Sequence, residues 1–516
     1  MAGRFSILRA AATTGGATMV SRFLGFVRDI MIAAALGAGP LADIFVVAFR
    51  LPNLFRRLFA EGAFSAAFVP LFAKRLEGEG VDGARQMAGE VFSALSFVLL
   101  VFTAVAEMFM PVLVYLLAGG FEADSDKFSQ TVHYARITFP YLGFMSLMAL
   151  FAAMLNATGR FALAGLVPVL LNVVLIAALV LAWGDDRLSL DYLIWGVALA
   201  GFLQLAAMWA GAWRAGLSLA LVRPRLSPDV RRVFVLGVPG VLAAGVTQIN
   251  LLVGTNIASA QPGAAAWLYY ADRLYQLPLG VIGVALSVAL LPDISRRLRA
   301  GDKGGAVASQ NNGLAYGLLL TAPASLGLYA LAEPIMSVLF ERGSFSAADT
   351  RAAALALMGF APGLPAFVLV KILQPSFFSR EDTKTPLLYA ALGVGVNISL
   401  SLLYFPVYGH VAIAVATSIA GWVSLLAMAV HLSLTGWRVD RLFVLRGLVI
   451  LLGCGAMGAY LGLVTPPPAS GLTGLAGWLA VHVTGAAGLY FVALAGLSYL
   501  VLPGGAAGWR GLARRD

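Results

Sequence analysis

The 516-residue sequence holds a single cysteine, Cys454, and only four histidines, His133, His410, His431 and His482, which lie far apart along the chain. One cysteine excludes an internal disulfide framework and any multi-cysteine metal site, and scattered histidines give redox or metal chemistry no cluster to start from. Charge is scarce as well. Asp, Glu, Lys and Arg make up 12% of the residues, about half the roughly 25% usual in soluble domains. There is no GxxxxGK[ST] phosphate loop, and no polar stretch is long enough for an ATPase domain, so ATP is not expected to drive this protein directly.

What the chain has instead is apolar sequence, 60% hydrophobic residues with a mean hydropathy of +0.88. That composition predicts an all-α polytopic membrane protein, in which the first question about a net charge of +10 is which side of the bilayer it faces. A spanning helix needs about 20 mostly apolar residues. That ruler gives fourteen expected transmembrane helices: 11–36, 41–73, 86–118, 131–156, 161–183, 191–213, 229–257, 266–295, 306–332, 350–379, 386–405, 411–433, 443–463 and 474–502. The N-terminal stretch lacks a short apolar core followed by a cleavage site, so it reads as a retained cytoplasmic start.

Counting Lys and Arg tests this topology. With the N-terminus inside, 23 of the 35 fall in cytoplasmic segments and only Lys127, Arg187, Arg342 and Arg351 on the opposite side. One missed helix would invert every later loop, so the asymmetry supports the count and the orientation together, with both termini cytoplasmic. The remaining eight lie within the spans away from the loop ends, where Arg231, Arg232, Arg351 and Arg446 are counted with the adjoining loops: Arg22, Arg28, Arg50, Arg56, Arg57, Arg136, Arg273 and Lys371.

An internal repeat divides the chain. "FVPLFAKRL" (68–76) resembles "LLPDISRRL" (290–298), and "ITFPYLGF" (137–144) faces "GFAPGLPAF" (359–367), each proline pair being separated by 222 residues. "FRLPNL" (49–54) and "DRLYQLPLG" (272–280) lie at nearly the same offset and pair Arg50 with Arg273. The expectation is two pseudo-symmetric six-helix lobes, 1–222 and 223–435, related by an axis along the membrane normal, followed by two additional helices in 436–516.

Each arginine near a helix centre costs roughly 2.5–3.5 kcal/mol on insertion scales, so the intramembrane cations must face water, a counter-ion or a ligand. The internal partners in reach are Asp29, Asp43, Glu61 and Asp272, four acids against eight cations, with Glu107 read as interfacial. Some arginines, Arg57 and Arg136 first, have a bland alternative in snorkelling or in pairing with backbone carbonyls. The surplus is positive, and seven of the eight cations are Arg, whose planar guanidinium donates two parallel hydrogen bonds to a phosphate or carboxylate. A diphosphate suits such a cluster better than one carboxylate does. The helix at 41–73 is expected to break around Pro52-Asn53 and near Gly62. "FERGSFSAADT" (340–350) reads as an outer connection in which Ser346 caps the next helix, and "SREDTKTP" as a cytoplasmic connection ending at a helix-starting Pro386.

Four segments carry a family resemblance: "SRFLGFVRD" (21–29), "DIFVVAFRLPNLFRRLFAEGAFSAAFVP" (43–70), "YYADRLYQLPLGVIGVALSVALLP" (269–292) and "FFSREDTKTP" (377–386). They resemble the signature segments of the MurJ (MviN) family, bacterial lipid II flippases of the MATE-like (MOP) exporter superfamily. The resemblance implies a V-shaped pair of six-helix lobes with a cationic cavity, alternating access, and two extra helices forming a groove for the undecaprenyl tail. Carried over position by position, the important charges fall on Arg22, Arg28, Asp29, Asp43, Arg56 and Arg273, with Arg50, Arg57, Glu61, Asp272 and Lys371 in support. Some relatives have a sodium site between the eleventh and twelfth helices that includes a carboxylate. Here the region offers Asn397, Ser401 and Thr417 with no intramembrane acid, which places sodium coupling in doubt.

The expected function is thus movement of lipid II from the cytoplasmic to the periplasmic leaflet of the inner membrane. No cofactor is expected, and coupling is to the membrane potential or an ion. The expected partners are lipid II, the phospholipid bilayer and the cell-wall synthesis machinery, with no nucleic acid and a monomeric chain. Two other classes stand beside it. A MATE-type drug or lipid-linked polysaccharide exporter explains the lobes, but organic-cation export favours an acidic cavity, and twelve helices suffice for it. A membrane-embedded transferase needs a general base and usually a metal-binding acidic pair, whereas Asp29 and Asp43 are better explained as arginine counter-charges.

Overall fold

The computed structural model describes residues 2–59, 64–122, 125–465, 471–503, 505 and 509, without the side chains of 2–14, 58, 59, 65, 66, 239–244 and 247. All regular structure among them is helical. The residues form two compact units, 1–266 with 342–345, and 267–341 with 346–516.

The first unit contains α1 (Ala2–Leu36), α2 (Pro40–Phe59), α3 (Ser65–Met108), α4 (Met110–Ala118), α5 (Asp126–Thr138), α6 (Tyr141–Ala157), α7 (Phe161–Leu181), α8 (Asp186–Arg214) and α9 (Pro228–Ser259). α3 covers the polar stretch between two expected spans and turns at Gly80, whose φ of 73° and ψ of −168° suit only glycine. α9 packs on α2, α3 and α4, so this unit extends beyond the sequence repeat that ends near residue 222. Its core is a cluster from α3, α6, α8 and the start of α9, including Phe68, Phe72, Met87, Phe151, Met154, Met208 and Val230. The four residues Arg342–Phe345 also pack here, through a bond from Ser344 N–H to the Ala34 carbonyl at 2.8 Å.

The second unit continues with α10 (Ala264–Pro278), a five-residue π-helical turn (Leu279–Gly283), α11 (Val284–Arg299), α12 (Lys303–Ala330), α13 (Ala332–Phe340), α14 (Ala347–Phe360), α15 (Gly363–Phe378), α16 (Lys384–Tyr408), α17 (His410–Leu434), α18 (Arg441–Leu463) and α19 (Leu472–Val501). Ser346 caps α14 in a reciprocal capping box with Asp349, and Pro386 occupies the first turn of α16.

Apolar side chains cover much of the outside, including Leu100, Met108, Leu181, Leu434 and Leu500, as expected where the solvent is lipid. By length and composition, ten helical stretches among the described residues can cross a membrane, or eleven when α14 and α15, bent by 41°, count as one span. The count of fourteen is therefore not reproduced by this criterion. The described residues of the other three expected stretches, 11–36, 41–73 and 229–257, lie largely in α1, in α2 and the start of α3, and in α9.

One expectation is corrected. α2 is not interrupted at Pro52-Asn53 and runs through to Phe59, while the expected break near Gly62 lies outside the described residues. Pro52 has no N–H for the Ala48 carbonyl, but Thr138 Oγ1 on α5 donates to that oxygen at 2.8 Å, and Asn53 Nδ2 donates to the Phe49 carbonyl at 2.7 Å. The second unit uses the same device. Pro323 in α12 releases the Leu319 carbonyl, and the Tyr490 hydroxyl on α19 donates to it at 2.9 Å.

Candidate functional site

The charges of the first unit lie on α1 and α2. Arg28 and Asp29 are neighbours in sequence and both buried, at 6% and 2% exposure. Arg28 Nη2 and Nε donate to the same Asp29 oxygen at 2.7 and 3.1 Å, and Nη1 donates to Asn172 Oδ1 on α7 at 2.9 Å. Asn172 in turn donates to the Ser21 carbonyl at 2.9 Å, which orients its oxygen toward the guanidinium. The result is a fixed, planar cation in the α1–α7 contact. Arg22, two turns earlier, is exposed.

On α2, Asp43, Arg50 and Arg57 are spaced by seven residues, so they share one side of the helix over roughly 21 Å. Asp43 is 1% exposed. It accepts from Lys127 Nζ at 2.7 Å and from the Gly263 and Ala266 N–H groups at 2.9 and 3.3 Å, at the start of α10. Its cationic partner is thus Lys127, not an arginine. This corrects the counter-charge reading. A short acid beside the orphan N–H groups of a helix start is held by that helix and by the one cation within reach. Arg50 Nη1 donates to Thr255 Oγ1 on α9 at 2.8 Å, and Arg56 Nε to Asn53 Oδ1 at 3.1 Å. Arg57 is exposed at the end of the helix, and Glu61 lies outside the described residues. Arg136 donates to the Glu107 carbonyl at 3.3 Å, as the backbone-pairing alternative expects.

In the second unit, Arg273 lies over the Tyr269 ring at 4.6 Å from its centre and donates to the Tyr269 hydroxyl at 2.9 Å. Asp272 accepts from Gln276 one turn on. Lys371 on α15 passes its stem over Gly283. A Cβ there would stand 3.0 Å from Lys371 Cδ, so the π-helical turn leaves room for the lysine. Asn397 Oδ1 accepts from Ser401 and Thr417 hydroxyls at 3.4 Å each. The three are together as the sequence suggested, but all their oxygens are neutral and engaged with one another. No group of three His, Cys, Asp or Glu residues poised for a metal occurs among the described residues.

An apolar cavity of about 360 Å³ lies in the second unit between α12, α13, α18 and α19, lined by Leu319, Pro323, Gly327, Met457, Ala486 and Tyr490 among others. The hydrogen bond from Tyr490 to the carbonyl freed by Pro323 leaves that polar pair satisfied, so the wall stays apolar.

Sequence reasoning missed Lys127, counted only as an outer-loop charge, and Asn172, Thr255 and Tyr269. Asn172 carried a signal, a lone amide in the apolar run "PVLLNVVLIAAL". Thr255 and Tyr269 carried none, because hydroxyls and rings are ordinary in such helices.

The family model described as lipid II flippase MurJ matches residues 32–467. A probable lipid II flippase MurJ of Rhizobium meliloti (strain 1021) is 48% identical over 461 residues, 88% of this chain and 86% of the relative. A solved lipid II flippase MurJ in an inward closed conformation aligns with a TM-score of 0.77 at 24% identity, covering 93% of this chain and 97% of that one. An inward-facing multidrug resistance MATE family transporter of the MOP superfamily aligns at 0.67 and 12% identity, covering 83% and 98%. The two solved structures show a shared fold, and the family model and the relative from Rhizobium meliloti show descent: this chain belongs to the MurJ family of lipid II flippases.

Proposed function

We propose that this chain is a transporter, not an enzyme, and that it flips lipid II across the bacterial inner membrane. The observation that carries this reading is the match to the flippase family over residues 32–467. The buried Arg28–Asp29–Asn172 constellation on α1 and α7 supports it. A head group of two sugars, a peptide and a diphosphate cannot cross hydrocarbon unaided, because each unsatisfied polar group costs several kcal/mol.

In this reading Arg28, Arg50, Arg56 and Arg273 are the residues assigned to the diphosphate. Arg22, Arg57, Asp272 and Lys371 set the surrounding field, and Asp29 and Asp43 hold their cations in place. The fourteen-span topology with both termini cytoplasmic follows from the Lys and Arg asymmetry, and residues 1–222 and 223–435 act as the two moving lobes. Segment 436–516 supplies, with α12 and α13, the wall of the apolar cavity, which takes part of the undecaprenyl tail. No step is assigned to sodium at Asn397, Ser401 and Thr417. An inside-negative potential favours outward movement of negative charge by about 2.3 kcal/mol per uncompensated charge per 100 mV, and that bias drives the cycle. The protein acts as a monomer in contact with the cell-wall synthesis machinery.

The test is transport of labelled lipid II by purified protein in vesicles. Arg28→Ala and Arg273→Ala are expected to abolish it, and Arg→Lys at either position to lose most of it, because lysine cannot donate in the bidentate manner. Unchanged transport in both alanine variants refutes the arginine assignment, and indifference to an imposed potential refutes the coupling.

A further inference from the structure

The connection between α8 and α9, residues 217–227, has no regular structure and is pinned on one side only. Leu217 is buried in the core cluster of the first unit. Arg85 on α3 donates from Nη2 to Ser218 Oγ at 2.9 Å and from Nε to the Ser218 carbonyl at 3.1 Å. Val222 N–H donates to Ser93 Oγ on α3 at 3.0 Å. Between these ties the Ala220 carbonyl passes so close to α3 that a Cβ at Gly89 would stand 3.2 Å from it. Beyond them Leu221 and Leu226 are 78% and 80% exposed, with Arg223 and Arg225 exposed between them. Pro224 fixes its own φ and keeps Arg223 extended, so a stiff backbone presents the two arginines.

The flanking helices set the level of this segment. α8 finishes on an exposed Trp213, a residue type that settles among the headgroups of a bilayer. α9 begins at Pro228 and turns apolar outward within two turns. Arg231 and Arg232, both exposed, stand one turn before the exposed Val235 and Leu236, so each cation sits above an apolar side chain on the same outer face. The charges there are nearly all of one sign. From Arg214 to Arg232 the chain carries five arginines and one acid, Asp229, whose carboxylate accepts from Arg75 at 2.7 Å. Arg225 lies 3.4 Å from Glu90, whereas Arg223, Arg231 and Arg232 form no ion pair among the described residues.

A solvated loop gains nothing from two leucines at that exposure, and a surface facing only hydrocarbon does not tolerate three uncompensated cations. Both are satisfied where phosphate lies over acyl chain. We propose that this surface binds anionic phospholipid. The guanidinium groups of Arg223, Arg231 and Arg232 take headgroup phosphates, Leu221 and Leu226 dip between the headgroups, and Val235 and Leu236 carry the acyl chain below. A zwitterionic lipid offers the same phosphate but brings its own cation, so charge complementarity selects the anionic lipid. The surface shares no residue with those assigned to the diphosphate, and the proposal stands whatever substrate the chain moves.

The experiment uses the full chain in phosphatidylcholine vesicles with traces of two probes at equal mole fraction, a phosphatidylglycerol and a phosphatidylcholine that carry a diazirine near the top of the same acyl chain. Mass spectrometry reads the ratio of the two labels on residues 215–236, with α19, whose Val492 and Leu500 are exposed, as the reference. In the wild type the ratio should favour phosphatidylglycerol more than tenfold over the reference. Arg223→Gln should lower it roughly fivefold, the worth of one arginine near an anionic surface, and Arg223→Gln with Arg231→Gln and Arg232→Gln should bring it to the reference value. Leu221→Ser with Leu226→Ser should reduce both labels alike and leave the ratio standing. A wild-type ratio equal to the reference, or one that the triple variant does not change, overturns the proposal. So does the absence of either label on 215–236, which would mean that water or another protein covers the surface.

Discussion

The α1–α2 region of the first unit and the α12–α19 edge of the second solve opposite problems. The first takes charge into the interior and holds its buried ions with named partners: Arg28 with Asp29 and Asn172, Asp43 with Lys127 and the start of α10. The second keeps an apolar cavity and uses a wall hydroxyl, on Tyr490, to satisfy a carbonyl that Pro323 releases. Under the proposed function, this difference corresponds to the two halves of an amphipathic substrate. A charged head needs oriented donors held in place, whereas a prenyl chain needs space without unsatisfied polar groups.

The largest expected effect comes from breaking the ionic half of this contrast. Asp43→Ala leaves Lys127 and two helix-start N–H groups without their acceptor and is expected to cost about 3 kcal/mol. Thermal unfolding of the purified protein checks it, and Lys127→Ala combined with Asp43→Ala should cost clearly less than the two singly. Next come the paired carbonyl devices. Tyr490→Phe and Thr138→Val each strand a carbonyl beside a proline and should each cost about 1–3 kcal/mol. If only one of the two lowers the melting temperature, the equivalence drawn between Pro323 and Pro52 is wrong.

Filling the cavity sharpens the comparison from the other side. Gly327→Leu places a side chain into the cavity, where its Cβ would meet only Met457 at 3.5 Å. Lipid II transport in vesicles should fall severalfold with the melting temperature unchanged, and an unaffected rate would separate the cavity from the tail. The smallest effect is outside the membrane. Asp382 is held below its ordinary pKa by hydrogen bonds from the Thr385 side chain and backbone N–H, the latter at 3.0 Å. A lowered carboxyl contributes stability above its unfolded pKa of about 3.9 and loses it as pH falls through the lower folded value. Asp382→Ala should therefore lower stability by about 0.5 kcal/mol at neutral pH, and melting curves of the two proteins should converge as the buffer is taken well below pH 3.9.

Much of the site was legible because burying charge in lipid is so costly that each intramembrane Arg or Asp marks itself. That logic identified Arg28, Asp29 and Asp43 correctly as interior charges. It could not choose partners, since Lys127 lies 84 positions from Asp43 and Asn172 lies 144 from Arg28. It also misjudged Pro52, because a proline reads as a break until the repairing hydroxyl, Thr138, is seen on another helix.

By itself the sequence determined the class, the helical order and the places where charge enters the apolar spans, because those follow from transfer energies that act on each residue locally. Only the tertiary structure decided which acid neutralises which cation, how the prolines are tolerated, and where an apolar cavity opens beside Tyr490. Those are properties of side chains from distant helices meeting within a few ångströms, and no local energy specifies them.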